Sequence, residues 1–296
     1  MPFEVDRSYE LKRDEELSAG LQRVAAGRAE KALERLREKD DRAEAIHGAR
    51  KDMKKLRTVL RLVRDKLPEE LCAEQDQRFG DAARALSASR DAEVKLETLD
   101  ALAEGDGRLP EEAAMVWREI LDRDREAADH TADGEAALGL IEAGLARIRE
   151  WPLEGDSWTL IAGGVKRSYR RGRQAMAAAE EDRSEESLHQ WRKRAKDLWY
   201  ELRLLSGAWS RPLGAAAEEA HRLTDLLGDH HDLALLRADL RERRLGETET
   251  RALGAAISGR QEQLVADALN LGRRLYAEKP KAFGRRLRRY WEAWRE

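Results

Sequence analysis

The segment HGARKDMKKLRTVLR at 47–61 recurs as HQWRKRAKDLWYELR at 189–203. In both copies a histidine is followed by Arg at +3, Lys at +4, Lys at +7 and Arg at +14. A helix collects those offsets on one side, whereas a strand divides them between two faces. With His47 as origin and a turn every 3.6 residues, Lys51, Lys54, Arg61 and Arg50 fall within about 60° of it. Met53, Leu56, Leu60, Val63 and Leu67 fall opposite. The second copy repeats the wheel: Arg192, Lys193, Lys196, Tyr200 and Arg203 surround His189, with Trp191, Leu198, Leu202 and Leu205 opposite. Each helix commits one face to a core and the other to positive charge, as a stripe about 21 Å long.

Stacked like charges destabilise a helix by tenths of a kcal/mol per pair. Two such faces brought together cost more and call for a counter-anion. Phosphate suits both Arg forks and Lys point charges. A histidine among cations is held towards neutrality when the site is empty and can protonate against a phosphate.

The net charge of −3 hides a segregation. The windows 41–64, 165–173, 189–203 and 279–289 hold 24 Lys/Arg against 5 Asp/Glu; the other 237 residues hold 32 against 54. Positive charge is therefore concentrated in four stretches of an otherwise acidic chain, which points to a cationic site rather than scattered ion pairs. VKRSYRRGR at 165–173 aligns Lys166, Arg170 and Arg173 on one helical side, and KPKAFGRRLRR at 279–289 aligns Lys281, Arg285 and Arg288, with Arg289 closing the run.

The periodicity predicts helices throughout: 14–39, 42–66, 69–103, 110–131, 134–150, 159–182, 185–207, 212–228, 231–244, 248–277 and 280–295. Ala, Leu, Glu and Arg, all good helix formers, dominate. The central break is WPLEGDSW at 151–158, with Asp156 or Ser157 expected to cap the next helix and Ser184 the one after. A shift of 142 residues superposes the two histidine segments and sets Arg28 and Lys31 against Arg170 and Arg173. LSASRDAEVKLETL at 86–99 parallels LLGDHHDLALLRADL at 226–240, pairing Asp91 with Asp232, for which a structural role is expected. So long a period excludes a solenoid. It predicts an all-α fold of two helical bundles, 1–150 and 151–296, related by a pseudo-two-fold axis near the histidine helices.

Other chemistries find little support. No HExxH or paired-cysteine pattern offers a metal site, and His47 and His189 are ringed by cations, which opposes binding of a divalent metal. There is no GxxxxGK[ST] loop and no GxSxG, and Cys72 stands between Glu70 and Glu74, a poor setting for a nucleophile. A single cysteine, no apolar signal core at the start and no apolar run of membrane-spanning length lead to the expectation of a soluble cytoplasmic protein. The Trp residues invite a stacking reading for nucleic acid, but Trp191 and Trp199 lie on or beside the apolar side of their helix.

These residues resemble the CHAD domain, the conserved histidine α-helical domain. One hallmark, HxxRxxxRRLR, is similar to His47, Arg50, Lys54, Lys55, Leu56 and Arg57; the other, HxxRKxxKxLRY, to His189, Arg192, Lys193, Lys196, Leu198 and Tyr200. YRRGR at 169–173, the segment around Gly228 and Asp232, and LYAEKP at 275–280 carry the resemblance further, over about 14–295. Trp199 and Ser87 depart from it, standing where Arg and Gly are usual. The resemblance implies two antiparallel four-helix bundles with internal pseudo-symmetry and a central basic channel. It also implies binding of inorganic polyphosphate, recruitment to polyphosphate granules, and no cofactor. The ExExK motif of fused triphosphatase domains is reduced to EVK at 93–95. The expectation is a non-catalytic polyphosphate-binding module. The alternatives are a nucleic-acid-binding protein or a polyphosphate-metabolising enzyme.

Overall fold

The computed structural model describes residues 8–38, 42–86, 88–104, 110–128, 134–242 and 247–296, with the side chains at 88–93, 125–128, 240–242 and 247–249 left aside. The described residues form eleven α-helices and no strand. The first half contributes α1 (Leu17–Arg37), α2 (Arg42–Val63), α3 (Glu69–Ala85), α4 (Ala88–Glu104), α5 (Glu111–Ala128) and α6 (Gly134–Ile148). The second contributes α7 (Thr159–Asp182), α8 (Glu185–Leu204), α9 (Ser210–Glu242), α10 (Glu247–Leu275) and α11 (Pro280–Arg295).

The 142-residue shift carries the start of α1 onto that of α7, and α2 onto α8 to within a residue. It carries both α3 and α4 into the one long helix α9. The sequence reading had the interruption in the other copy: one helix over 69–103 and a break between 228 and 231. A pair of equivalent arginines accounts for the difference. Arg50 donates to the Leu86 carbonyl at 3.0 Å, taking the acceptor where α3 ends. Its counterpart Arg192 lies over Gly228, where an added Cβ would stand 3.0 Å from the guanidinium. A glycine at that point lets the guanidinium approach while the helix runs on.

Helix α1 packs on α2, α2 on α3, α3 on α6 and α6 back on α1; α7, α8, α9 and α10 contact one another in the same cyclic order, and α11 lies on α7. One apolar cluster runs through both halves, from Tyr9 and Leu17 by way of Met53, Leu56 and Leu60 to Trp191, Tyr276 and Trp291. A second, smaller cluster holds α4 and α5 against α9 and α10, through Leu99, Trp117, Leu236 and Ile257. The α4–α5 hairpin of the first half thus rests on helices of the second.

Helices α2 and α7 meet almost backbone to backbone. A Cβ at Gly164 would collide with the carbonyl oxygen of Leu62, so only a glycine permits the approach. Ser184 caps α8, its hydroxyl accepting from the Ser187 amide at 3.1 Å. Asp156 serves differently from expectation. Its carboxylate accepts from the Leu17 amide at 2.8 Å, capping α1 rather than α7 and tying the central linker to the first helix. Ser157 accepts weakly from the Thr159 amide, at 3.2 Å.

Candidate functional site: a cationic seam between α2 and α8

The apolar stripe of α2 is buried as the wheel predicts, with Met53, Leu56, Val59 and Leu60 inaccessible to solvent. Trp191, Ala195, Leu198 and Leu202 do the same for α8. That anchoring orients the opposite faces. Lys54 lies half-buried, and its ammonium is held down to about 7 by burial first and then by Lys196, Arg50, Arg192 and Lys51, all cations. A lysine otherwise titrates near 10.5. Helices α2 and α8 thus bring Lys54 and Lys196 close, with Arg50 and Arg192 beside them. Arg50 is fixed by its bond to the Leu86 carbonyl, and Arg192 lies 3.8 Å from Asp232. Asp232 therefore steadies a cation of the seam; the side chain of Asp91 lies outside the described residues.

His189 lies against His231, with ring centres 4.4 Å apart and the planes tilted by 30°. Burial, then His231, Lys193 and Arg192, depress it to about 4, so the ring is neutral at pH 7. Its Nδ1 is buried without a hydrogen-bond partner. His47, its counterpart on α2, is half-buried. Lys51 and Lys193 are exposed.

Next to the seam is a second group of charges around Asp52, itself buried. Asp52 accepts from Arg28 at 3.1 Å and lies 3.5 Å from Arg35 and 3.9 Å from Lys55. Arg28 is only 4% exposed, so its guanidinium joins α1 to α2 and presents nothing to a ligand. Burial is the main influence on Lys55, which stands at about 8; Asp52 raises it and Arg28, Arg203 and Lys31 lower it. Tyr200 is a core residue, 1% exposed, edge-on to Tyr9 and stacked against Trp199. Its place at the edge of the cationic wheel is thus occupied by packing.

Further along α2, Arg57 grips Asp76 with two bonds of 2.8 Å. Arg61 donates to Asp197 of α8 at 2.6 Å, an ion pair that spans the two copies of the repeat. Beside these pairs opens a pocket of about 450 Å³ between α2, α3, α7 and α8. Its walls include Arg64, Arg167, Arg171 and Arg194, none of which the repeat had singled out. Arg167 and Arg171 are neighbours at i, i+4 within VKRSYRRGR, beside the stripe of Lys166, Arg170 and Arg173. Lys166 and Arg170 are exposed, and Arg173 donates to the Glu278 carbonyl. On α11, Lys281, Arg285 and Arg289 are exposed and Arg288 pairs with Glu292 at 2.6 Å. The strongest charges acting on Lys54 come from α2 and α8, not from these two stretches.

Among the described residues no group of three or more His, Cys, Asp or Glu could hold a metal ion, and no helix is long and apolar enough to cross a membrane. A face of lysines and arginines with a neutral histidine can bind and neutralise an anion by hydrogen bonds and charge.

The sequence matches the CHAD domain over residues 22–241. In fold the chain is similar to the crystal structure of the CHAD domain from the plant Ricinus communis, at 20% identity over 94% of this chain and 96% of that one, with a TM-score of 0.63. It is also similar to PptA from Streptomyces chartreusis, at 16% identity over 89% of this chain and all of that one, with a TM-score of 0.65. No curated protein matches the sequence.

Proposed function

The chain belongs to the CHAD domain family, and from that premise we propose that it binds inorganic polyphosphate without catalysis, along the seam between α2 and α8. One observation carries the reading. Lys54 is surrounded by Lys196, Arg50, Arg192 and Lys51, and no carboxylate is among the strongest charges acting on it. Like charges held together in a partly buried site are unfavourable until an anion neutralises them. A chain of phosphates supplies regularly spaced charge along a stripe of the length the two helices present, and arginine forks and lysine ammoniums both suit it.

On this reading the halves 1–150 and 151–296 are repeat units of one domain, two antiparallel four-helix bundles about a pseudo-two-fold axis with the basic channel between them. Lys51, Lys54, Arg50 and His47 serve from one unit, and Lys193, Lys196, Arg192 and His189 from the other. Lys31, Lys55 and Arg203 border the channel, and Lys166, Arg170, Arg173, Lys281, Arg285, Arg288 and Arg289 extend it, whereas Arg57 and Arg61 are engaged by Asp76 and Asp197. Arg28 and Tyr200 take no part, because the first is sealed in an ion pair and the second in the core. Association with polyphosphate granules in a cytoplasm is the natural setting for such a module.

The test uses purified protein and long-chain polyphosphate at low salt. Lys54→Glu combined with Lys196→Glu is expected to abolish binding while the helical circular dichroism stays unchanged. Unchanged affinity in that variant would place the ligand elsewhere. Competition by RNA at equal phosphate concentration would favour a nucleic-acid reading instead.

A further inference from the structure

The pocket beside the Arg61–Asp197 pair carries an inference of its own. Six arginines line it: Arg57, Arg61, Arg64, Arg167, Arg171 and Arg194. Three carboxylates, Glu69, Asp76 and Asp197, stand among them, so the formal charge of the lining is three positive. The carboxylates are not evenly shared. Asp76 is gripped by Arg57, and Asp197 is held by Arg61 and Arg194. Arg167 turns to Asp65 and to the Arg61 carbonyl. Arg64 and Arg171 form no ion pair among the described residues. The Nε of Arg61 is buried with no hydrogen-bond partner. Burial, and then Arg194, Arg167 and Arg64, hold the Arg171 guanidinium below its ordinary value, which places these four groups close to one another.

The seam and the pocket are distinct in composition. None of Lys54, Lys196, Arg50, Arg192 or Lys51 lines the pocket. The seam is built largely on lysines, one of them poised to lose its proton near pH 7. The pocket's cations are all guanidiniums, which keep their charge across the accessible range.

We propose that this arginine pocket is a second anion site, which takes a compact inorganic oligophosphate such as tripolyphosphate. Several forks converging on a small volume match a short, densely charged anion better than an extended chain. The lining holds no aromatic side chain, so a nucleotide base would have nothing to stack on. The choice of ligand class rests on the phosphate reading above; the existence of the site rests on its own geometry.

The experiment is calorimetric titration with tripolyphosphate at pH 8.5, where Lys54 has largely lost its charge. Arg64→Gln with Arg171→Gln is expected to weaken binding by about tenfold for each guanidinium, roughly a hundredfold together. Both side chains are exposed, so the fold tolerates the change, which circular dichroism checks. Arg211→Gln with Arg222→Gln, two exposed arginines of α9 that belong to neither site, is expected to leave the titration unaltered. Unchanged affinity in the double arginine variant overturns the proposal, and so does an equal loss of tripolyphosphate binding in Arg211→Gln with Arg222→Gln. Wild-type protein that binds tripolyphosphate in this arginine-dependent way but not long-chain polyphosphate would sink the reading of the seam and leave the pocket standing.

Discussion

Raising the pH from 6 to 8 is expected to weaken the hold on long-chain polyphosphate, and the size of the effect follows from one lysine. In the empty protein Lys54 titrates at about 7 rather than 10.5. It is therefore about nine-tenths protonated at pH 6 and about one-tenth at pH 8. A polyphosphate in the seam offsets the repulsion from Lys196, Arg50, Arg192 and Lys51 and restores the ammonium. Binding at pH 8 must then draw close to one proton from solution, at a cost of about 1.4 kcal/mol, or tenfold in affinity. Internal units of a long chain stay ionised throughout, so the ligand contributes little of its own. Calorimetry in two buffers of different ionisation enthalpy reads the proton uptake directly: close to one at pH 8 and near zero at pH 6. Lys54→Gln should bind weakly and with no such pH dependence. Stability should move the other way. With the folded value depressed, the unfolded chain holds the extra proton between about pH 7 and 10.5, so the empty protein gains stability as pH rises through that window. A weakening caused by unfolding would reverse that sign. Flat affinity and no proton uptake at pH 8, or a slope that persists in Lys54→Gln, would refute the account.

Salt should act steeply on the same complex. If the five cations of the seam each displace a counterion, log affinity should fall roughly 3.5 units per decade of salt on the single-strand coefficient of about 0.7 per contact, which filter binding at several chloride concentrations measures. Asp52→Ala strands the buried Arg28 and should cost about 3–5 kcal/mol in urea unfolding, whereas Arg28→Met with Asp52→Leu should recover most of it. A cost below about 1 kcal/mol would mean that this pair does not hold α1 to α2. Gly164→Ala, forced against the Leu62 carbonyl, should lose about 1–3 kcal/mol by the same measurement, and a neutral result would contradict the close approach of α2 and α7.

The cationic faces of α2 and α8 were legible because helical geometry alone decides which side chains share a stripe, and each stripe's opposite side announced its burial. What the stripe becomes in three dimensions was not legible. Arg28 looked equivalent to Arg170, yet one lies sealed against Asp52 and the other faces solvent. The difference lies in which helix covers each, and spacing along the chain does not record that. The same holds for Arg64, just past the end of α2, Arg171 on α7 and Arg194 on α8, which become a site only where those elements meet. Helix ends were misread where a distant group intervened. Asp156 stands beside α7 in the sequence but caps α1, and Arg50 takes the Leu86 carbonyl from 36 residues away.

The Arg61–Asp197 pair has a consequence for how such a molecule could arise. The repeat sets Asp52 against Arg194 and Lys55 against Asp197, so each half keeps an i, i+3 ion pair but with its polarity reversed: Asp52 with Lys55, and Arg194 with Asp197. In a self-paired first half, the position facing Arg61 would be filled by a lysine, and repulsion would replace attraction. If the proposed pseudo-two-fold relation holds, the two halves are complementary, as the subunits of an obligate heterodimer are. Covalent fusion guarantees that every half meets its opposite, and a separately expressed first half should associate with the second rather than with itself.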